Sequence, residues 1–371
     1  MDSHPGYPRH PIFKLPLELH LMIFDYIDLY TKASQLENGP FPRTWIVRAK
    51  DLENHNGDGK TLLHIAAKRN YMKAAQFLLS AGISPSSKPP RADLSYRTPI
   101  AMAAKHGHVA MVQMLLDNGA SSNDRDSKRY PLHYAILDGH IHVVQLLLDH
   151  GAKQIRADYG TPVFLAAICG HAEIVDILAA HGADLTPANM VNDPLNVAIS
   201  RCYVDTVRAL LKAGASVINV TMGEFGPIHP PAIVVAAGGP NLRHAWDLAS
   251  DDETHHKPLG WKWYPGEKES YAEIVHLLLQ HGADPSAEFF SVPALYLATL
   301  VENELAVKLL LDAGARMDPM KWSGMTPAEL ARAGDNPRMT EMILEAERRH
   351  FYHRPWSSCS FSFGSPSNRP H

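Results

Sequence analysis

"TPVFLAAICGHAEIVDILAAHGA", residues 161–183, decides how the rest of this chain is read. Thr161 suits the start of a helix and Pro162 its first turn, where a missing N–H costs nothing. Ala166 and Ala167 are small enough to let a neighbouring helix approach closely. Gly170 ends this short helix. Ile174, Val175, Ile177 and Leu178 then recur at helical spacing and give a second helix its apolar face. Gly182 closes that helix and is expected in a left-handed conformation. Such a helix pair has more apolar surface than it can bury alone, so it needs neighbours of its own kind.

The neighbours are present. "GHVAMVQMLLDNGA" occupies 107–120 and "GHIHVVQLLLDHGA" occupies 139–152, and both repeat the second half of the unit. The helix-closing glycines fall at Gly82, Gly119, Gly151, Gly182, Gly214, Gly282 and Gly314, in steps of 37, 32, 31, 32, 68 and 32. About twenty residues before most of them stands a proline or its substitute: Leu62, Pro99, Pro131, Pro162, Pro194 and Ala294. A fixed period of this size marks an array of stacked units.

These motifs resemble the ankyrin-repeat family. Its pattern appears as "TLLHIAAKRN" (61–70), "TPIAMAAKHGH" (98–108), "YPLHYAILDGH" (130–140), "TPVFLAAICGH" (161–171) and "DPLNVAISRCY" (193–203). Degenerate copies follow at "PAIVVAA" (231–237), "PALYLATLVEN" (293–303) and "TPAELARAGDN" (326–336). The resemblance implies an all-α ankyrin-repeat solenoid of about eight repeats over residues 55–346. Leu62 replaces the motif proline, and Tyr130 and Asp193 replace the threonine. The sixth copy is split by an insert at about 238–269, which carries Trp246, Trp261, Trp263 and Tyr264. A structureless insert of this length is uncommon in a compact fold, and the aromatics lead us to expect partial packing onto the array.

The chain ends read differently. Residues 1–11 and 351–371 lack periodicity and are expected to be disordered. In residues 12–54, Leu19, Met22, Ile23, Tyr26 and Ile27 lie at helical spacing after Pro16. Leu15, Pro16, Leu19, Ile23, Phe24 and Tyr26 are similar to the opening of an F-box in the fungal style, although Gly39, Pro40 and Pro42 interrupt its second half. That resemblance implies docking on a Skp-type adaptor of a cullin-type ubiquitin ligase. Without it, the helix caps the first repeat.

Composition excludes several classes. The chain has 371 residues, 45% hydrophobic content, 20% charged content and a formal net charge of -4. These are globular values, and the charge argues for neither nucleic acid nor an anionic membrane. Three widely spaced cysteines, with no signal peptide and no long apolar run, point to the cytoplasm or nucleus. The 22 histidines are mostly repeat landmarks. In the family, His64 and His133 act as hydrogen-bonding pegs. His255 and His256, beside Asp251, Asp252 and Glu253, read as a solvated loop rather than a metal site. No nucleotide-binding or hydrolase motif and no C-x-x-C occurs, so neither catalysis nor a cofactor is expected.

Binding is the remaining task. The family's ligands meet a concave face built from hairpin tips and from the two variable positions after the paired alanines. Here those positions are Lys68 and Arg69, Lys105 and His106, Leu137 and Asp138, Ile168 and Cys169, Ser200 and Arg201, then Leu300 and Val301. Hairpins add Arg125, Lys128, Arg129, Arg156 and Tyr159. The early repeats present basic groups and the later ones aliphatic groups, which suits an acidic-hydrophobic peptide or helix of a client protein. The reading is a protein–protein interaction scaffold, either a ligase adaptor or a transcription coregulator that binds a transcription factor.

Overall fold

The computed structural model describes residues 61–86, 97–126, 129–156, 160–185, 193–217, 222–223, 226–227, 230–241, 266–319 and 324–352. The F-box-like segment, most of the Trp-rich insert, the C-terminal tail from residue 353, Lys128 and Tyr159 lie outside them, while residues 351 and 352, expected to be disordered, are helical. Two units are formed, residues 1–216 and 217–371.

Among its described residues the first unit holds five helix pairs: α1 (Leu62–Arg69) with α2 (Met72–Ser80), α3 (Pro99–Lys105) with α4 (Val109–Asp117), α5 (Pro131–Leu137) with α6 (Ile141–Asp149), α7 (Pro162–Cys169) with α8 (Ala172–Ala180), and α9 (Pro194–Ser200) with α10 (Val204–Lys212). The first members form one layer, in which α1 packs on α3, α3 on α5, α5 on α7 and α7 on α9. In the other layer α4 packs on α6, α6 on α8 and α8 on α10.

Packing explains the composition of each layer. Ala66, Ala67, Ala103, Ala104, Ala166 and Ala167 are all fully buried, so the inner helices touch nearly backbone to backbone. In the outer helices only one stripe is buried, such as Val143, Val144 and Leu147 or Ile174, Val175 and Leu178. Each of these aliphatic side chains contributes roughly 1.5–3 kcal/mol on leaving water.

Helix ends are closed by side chains. Thr98 and Thr161 cap α3 and α7 by accepting from Ala101 N and Phe164 N, each at 3.3 Å. Asp193 performs the same task for α9, accepting from Leu195 N at 2.8 Å. At the other end of the outer helices, the His150 and His181 Nδ1 atoms donate to the Leu146 and Ile177 carbonyls at 2.9 Å. Each imidazole thus gives a second donor to a last-turn carbonyl that also accepts the histidine's own backbone N–H.

Glycine after inner helices α3 and α5 has two causes. Gly139 has φ +73, and a Cβ there would lie 2.9 Å from His171 Cε1. Gly107, at φ +71, meets the His140 ring in the same way, at 2.7 Å. The His140 ring sits there because its Nε2 donates to the Lys105 carbonyl at 2.9 Å, as His108 Nε2 does to Lys68 at 3.1 Å. His108 and His140 therefore each tie one repeat to the previous one, and Gly107 makes room for His140.

Among its described residues the second unit repeats the theme in three pairs: α11 (Ala232–Gly238) with α12 (Glu267–Gln280), α13 (Ala294–Leu300) with α14 (Glu304–Asp312), and α15 (Pro327–Ala333) with α16 (Pro337–Tyr352). Inner helices α11, α13 and α15 stack in sequence, and α12, α14 and α16 do likewise. Thr326 and Glu329 form a capping box on α15, each side chain bonding the other's backbone N–H. The Gly-His tie is rewritten here as Glu302-Asn303, with Asn303 Nδ2 donating to the Lys268 carbonyl at 3.0 Å. Among the described residues, strand is limited to two short antiparallel ladders: β1 (Met222–Gly223) with β2 (Gly226–Pro227), and β3 (Glu288–Phe289) with β4 (Val292–Pro293). The second ladder turns through Phe290 at φ 46 and Ser291 at φ 63.

Candidate binding face of the first unit

The inner helices of the first unit all end in the same register, so their last residues come together on one face. Lys68 and Arg69 close α1, Lys105 and His106 close α3, Leu137 and Asp138 close α5, Ile168 and Cys169 close α7, and Ser200 and Arg201 close α9. Lys68, Arg69, His106, Asp138, Ser200 and Arg201 are exposed, while Lys105, Leu137, Ile168 and Cys169 are half-buried.

Electrostatics confirms that these positions are neighbours. The His106 pKa is lowered, first by partial burial and then by His108, Lys105 and Lys68, with Asp138 pulling the other way. The His106 and His108 rings lie 5.9 Å apart. Further along, burial pushes the Cys169 thiol pKa up, with Arg201 opposing and Asp138 reinforcing the shift. Cys169 therefore stays a protonated thiol at neutral pH, the opposite of what a nucleophile requires. Among the described residues, Lys68, Lys105, Asp138 and Arg201 form no ion pair. The strip thus runs basic, basic, acidic, apolar, basic from α1 to α9.

The hairpin between α4 and α5 builds an edge to this strip. Asp126, 4% exposed, accepts from Arg129 N and from the Tyr134 hydroxyl, both at 2.7 Å. Burial and the Asp126 bond push the Tyr134 pKa up to about 12. The Arg97 and Arg129 guanidiniums lie 5.1 Å and 5.6 Å from the Tyr134 ring centroid, and Arg125 lies 5.7 Å from Tyr130. Arg129 is thus part of a clasp that shapes the hairpin as well as a half-buried cation beside the face. Arg97, Tyr130 and Tyr134 were not singled out as site residues in the sequence. Their only signal is that Tyr130 stands where the motif has threonine.

That replacement separates the two histidine pegs. His64 Nδ1 lies 2.8 Å from Thr61 Oγ1 and accepts from Thr61 N at 3.1 Å. His133 is fully buried, yet neither ring nitrogen has a hydrogen-bond partner of good geometry. Tyr130 supplies no hydroxyl beside the helix start, so His133 lacks the local contact that His64 makes with Thr61; the Tyr130 ring instead lies 5.6 Å from the imidazole. In the second unit, Leu300 is half-buried, but Val301 is 1% exposed and offers nothing to a ligand.

Among the described residues no group of three or more His, Cys, Asp or Glu is placed to hold a metal ion. No helix among them is long and apolar enough to cross a membrane.

Comparison with known proteins supports the repeat assignment. Models of ankyrin repeats match residues 58–88, 86–158 and 153–221. An ankyrin repeat protein of Rickettsia bellii is 31% identical over 108 residues, covering 23% of this chain and 45% of its own length. This chain thus spans less than half of that relative. The crystal structure of the human ASB11 ankyrin repeat domain aligns with a TM-score of 0.47 at 22% identity, over 67% of this chain and 98% of that one. Paired helices in both units and family-model matches over residues 58–221 lead to one conclusion: each unit is built as an all-α ankyrin-repeat solenoid.

Proposed function

We propose that the chain is a non-enzymatic scaffold whose first unit grips an acidic, partly apolar segment of a client protein. The observation that carries this reading is a strip on one face whose Lys68, Lys105, Asp138 and Arg201 form no ion pair among the described residues, with Lys68 and Lys105 preceding the apolar Leu137 and Ile168. Exposed charges that satisfy nothing within the fold are available to a partner, and complementary charge governs its association rate and its selection. Lys68→Glu with Lys105→Glu tests this. Client capture should weaken and lose its salt dependence, while thermal unfolding stays unchanged. Undiminished capture would remove this face as the binding site.

We further propose that Leu15, Pro16, Leu19, Ile23, Phe24 and Tyr26 dock a Skp-type adaptor, so that the scaffold recruits substrate to a cullin-type ubiquitin ligase in the cytoplasm or nucleus. The support is the F-box-like sequence. Affinity capture with the full chain and with a chain lacking residues 1–50 tests it. Loss of ligase subunits with retention of the client supports the adaptor. Client without ligase subunits in both samples leaves a coregulator binding a transcription factor.

A further inference from the structure

The order of charges along the strip carries information beyond its being a binding face. The five inner helices pack side by side, at about 10 Å between axes. From α1 to α9 the groups on this face run Lys68, then the half-buried Lys105 with His106, then Asp138, then the half-buried Ile168 with Cys169, then Arg201. Asp138 breaks the basic run: it opposes the lysines at His106 and opposes Arg201 at Cys169. Yet it forms no ion pair with any of them among the described residues. An acidic ligand running uniformly along this face would meet Asp138 with the wrong sign.

We propose that the strip selects an extended peptide segment with a fixed charge order. Its acidic residues lie over Lys68 and Lys105, a basic residue over Asp138, an apolar residue over Ile168 and an acidic residue over Arg201. The inference rests on this face being the binding face and adds the partner's pattern and register. An extended chain with three residues per turn advances about 3.1 Å per residue. About three residues then match one repeat and return a side chain to the same side. The recognised segment spans about a dozen residues, acidic, acidic, basic, apolar and acidic at intervals of about three.

The test is selection from a displayed library of random peptides of roughly sixteen residues on the full chain and on its Asp138→Lys variant. Asp138 is exposed and its side chain caps no helix, so the variant should melt as the parent does. Selected peptides should share the stated order on the parent. On the variant, the third position should change from basic to acidic. A peptide selected on the parent should bind the variant about tenfold more weakly, the size of one reversed surface pair. Peptides that bind, and lose binding to Lys68→Glu with Lys105→Glu, but show no preference at the third position would overturn the charge order while leaving the binding face intact. Spacing of about seven residues, two turns of helix, would overturn the extended register. Failure to select any peptide sensitive to that double variant would overturn both readings.

Discussion

Acid should destabilise the first unit through one residue. His133 is buried at the start of α5, its pKa lowered from 6.5 to about 4 chiefly by burial, then by Arg129, with the Ile155 carbonyl opposing and Arg125 adding to the fall. Between these two values the unfolded chain holds a proton that the folded chain does not. Stability from neutral His133 is therefore complete above 6.5 and is lost as pH falls through about 4. Linkage over that window, from about pH 8 to about pH 4.5, amounts to about 2.5 kcal/mol. This is a large fraction of a domain's usual stability. His133→Leu fills a similar space with nothing to protonate. Urea unfolding followed by far-ultraviolet circular dichroism, with hydrogen exchange at the α5 amides, should show the variant pulling ahead of the parent by about that amount as pH falls. Carboxylates and other histidines titrate in both proteins and cancel. Parallel stability curves for parent and variant would refute the reasoning and show that His133 is hydrated or partnered in solution.

Three further outcomes follow from single contacts. Gly139→Ala forces an L-residue to φ +73 and places its methyl 2.9 Å from His171; thermal unfolding should show a loss of about 2 kcal/mol. Phe290→Asn with Ser291→Gly suits the two left-handed turn positions between β3 and β4, so chemical unfolding should show a gain of about 1 kcal/mol. An acidic ligand should raise the lowered His106 pKa; titration calorimetry should then find tighter binding and proton uptake as pH falls from about 7.5 to about 5.5, both absent in His106→Gln.

Much of this molecule was legible in its sequence. Helix starts at Thr98 and Thr161, helix ends at Gly170 and Gly182, and the buried stripes of the outer helices are local matters. Capping, backbone conformation and the helical period act within a few residues, and stacking follows because no single pair can bury its own apolar face. The positions forming one face were also readable, since identical units in identical register bring equivalent residues together. What tertiary structure alone decided are the relations between residues about thirty or more apart. It placed His140 and His171 over Gly107 and Gly139. It buried Val301 at a position equivalent to the half-buried Cys169. It seated Arg97 beside Tyr134 and, among the described residues, left Asp138 without an ion pair between basic neighbours. Each depends on which atoms the neighbouring repeat brings within reach, and a periodic pattern records that a neighbour exists without recording what it presents.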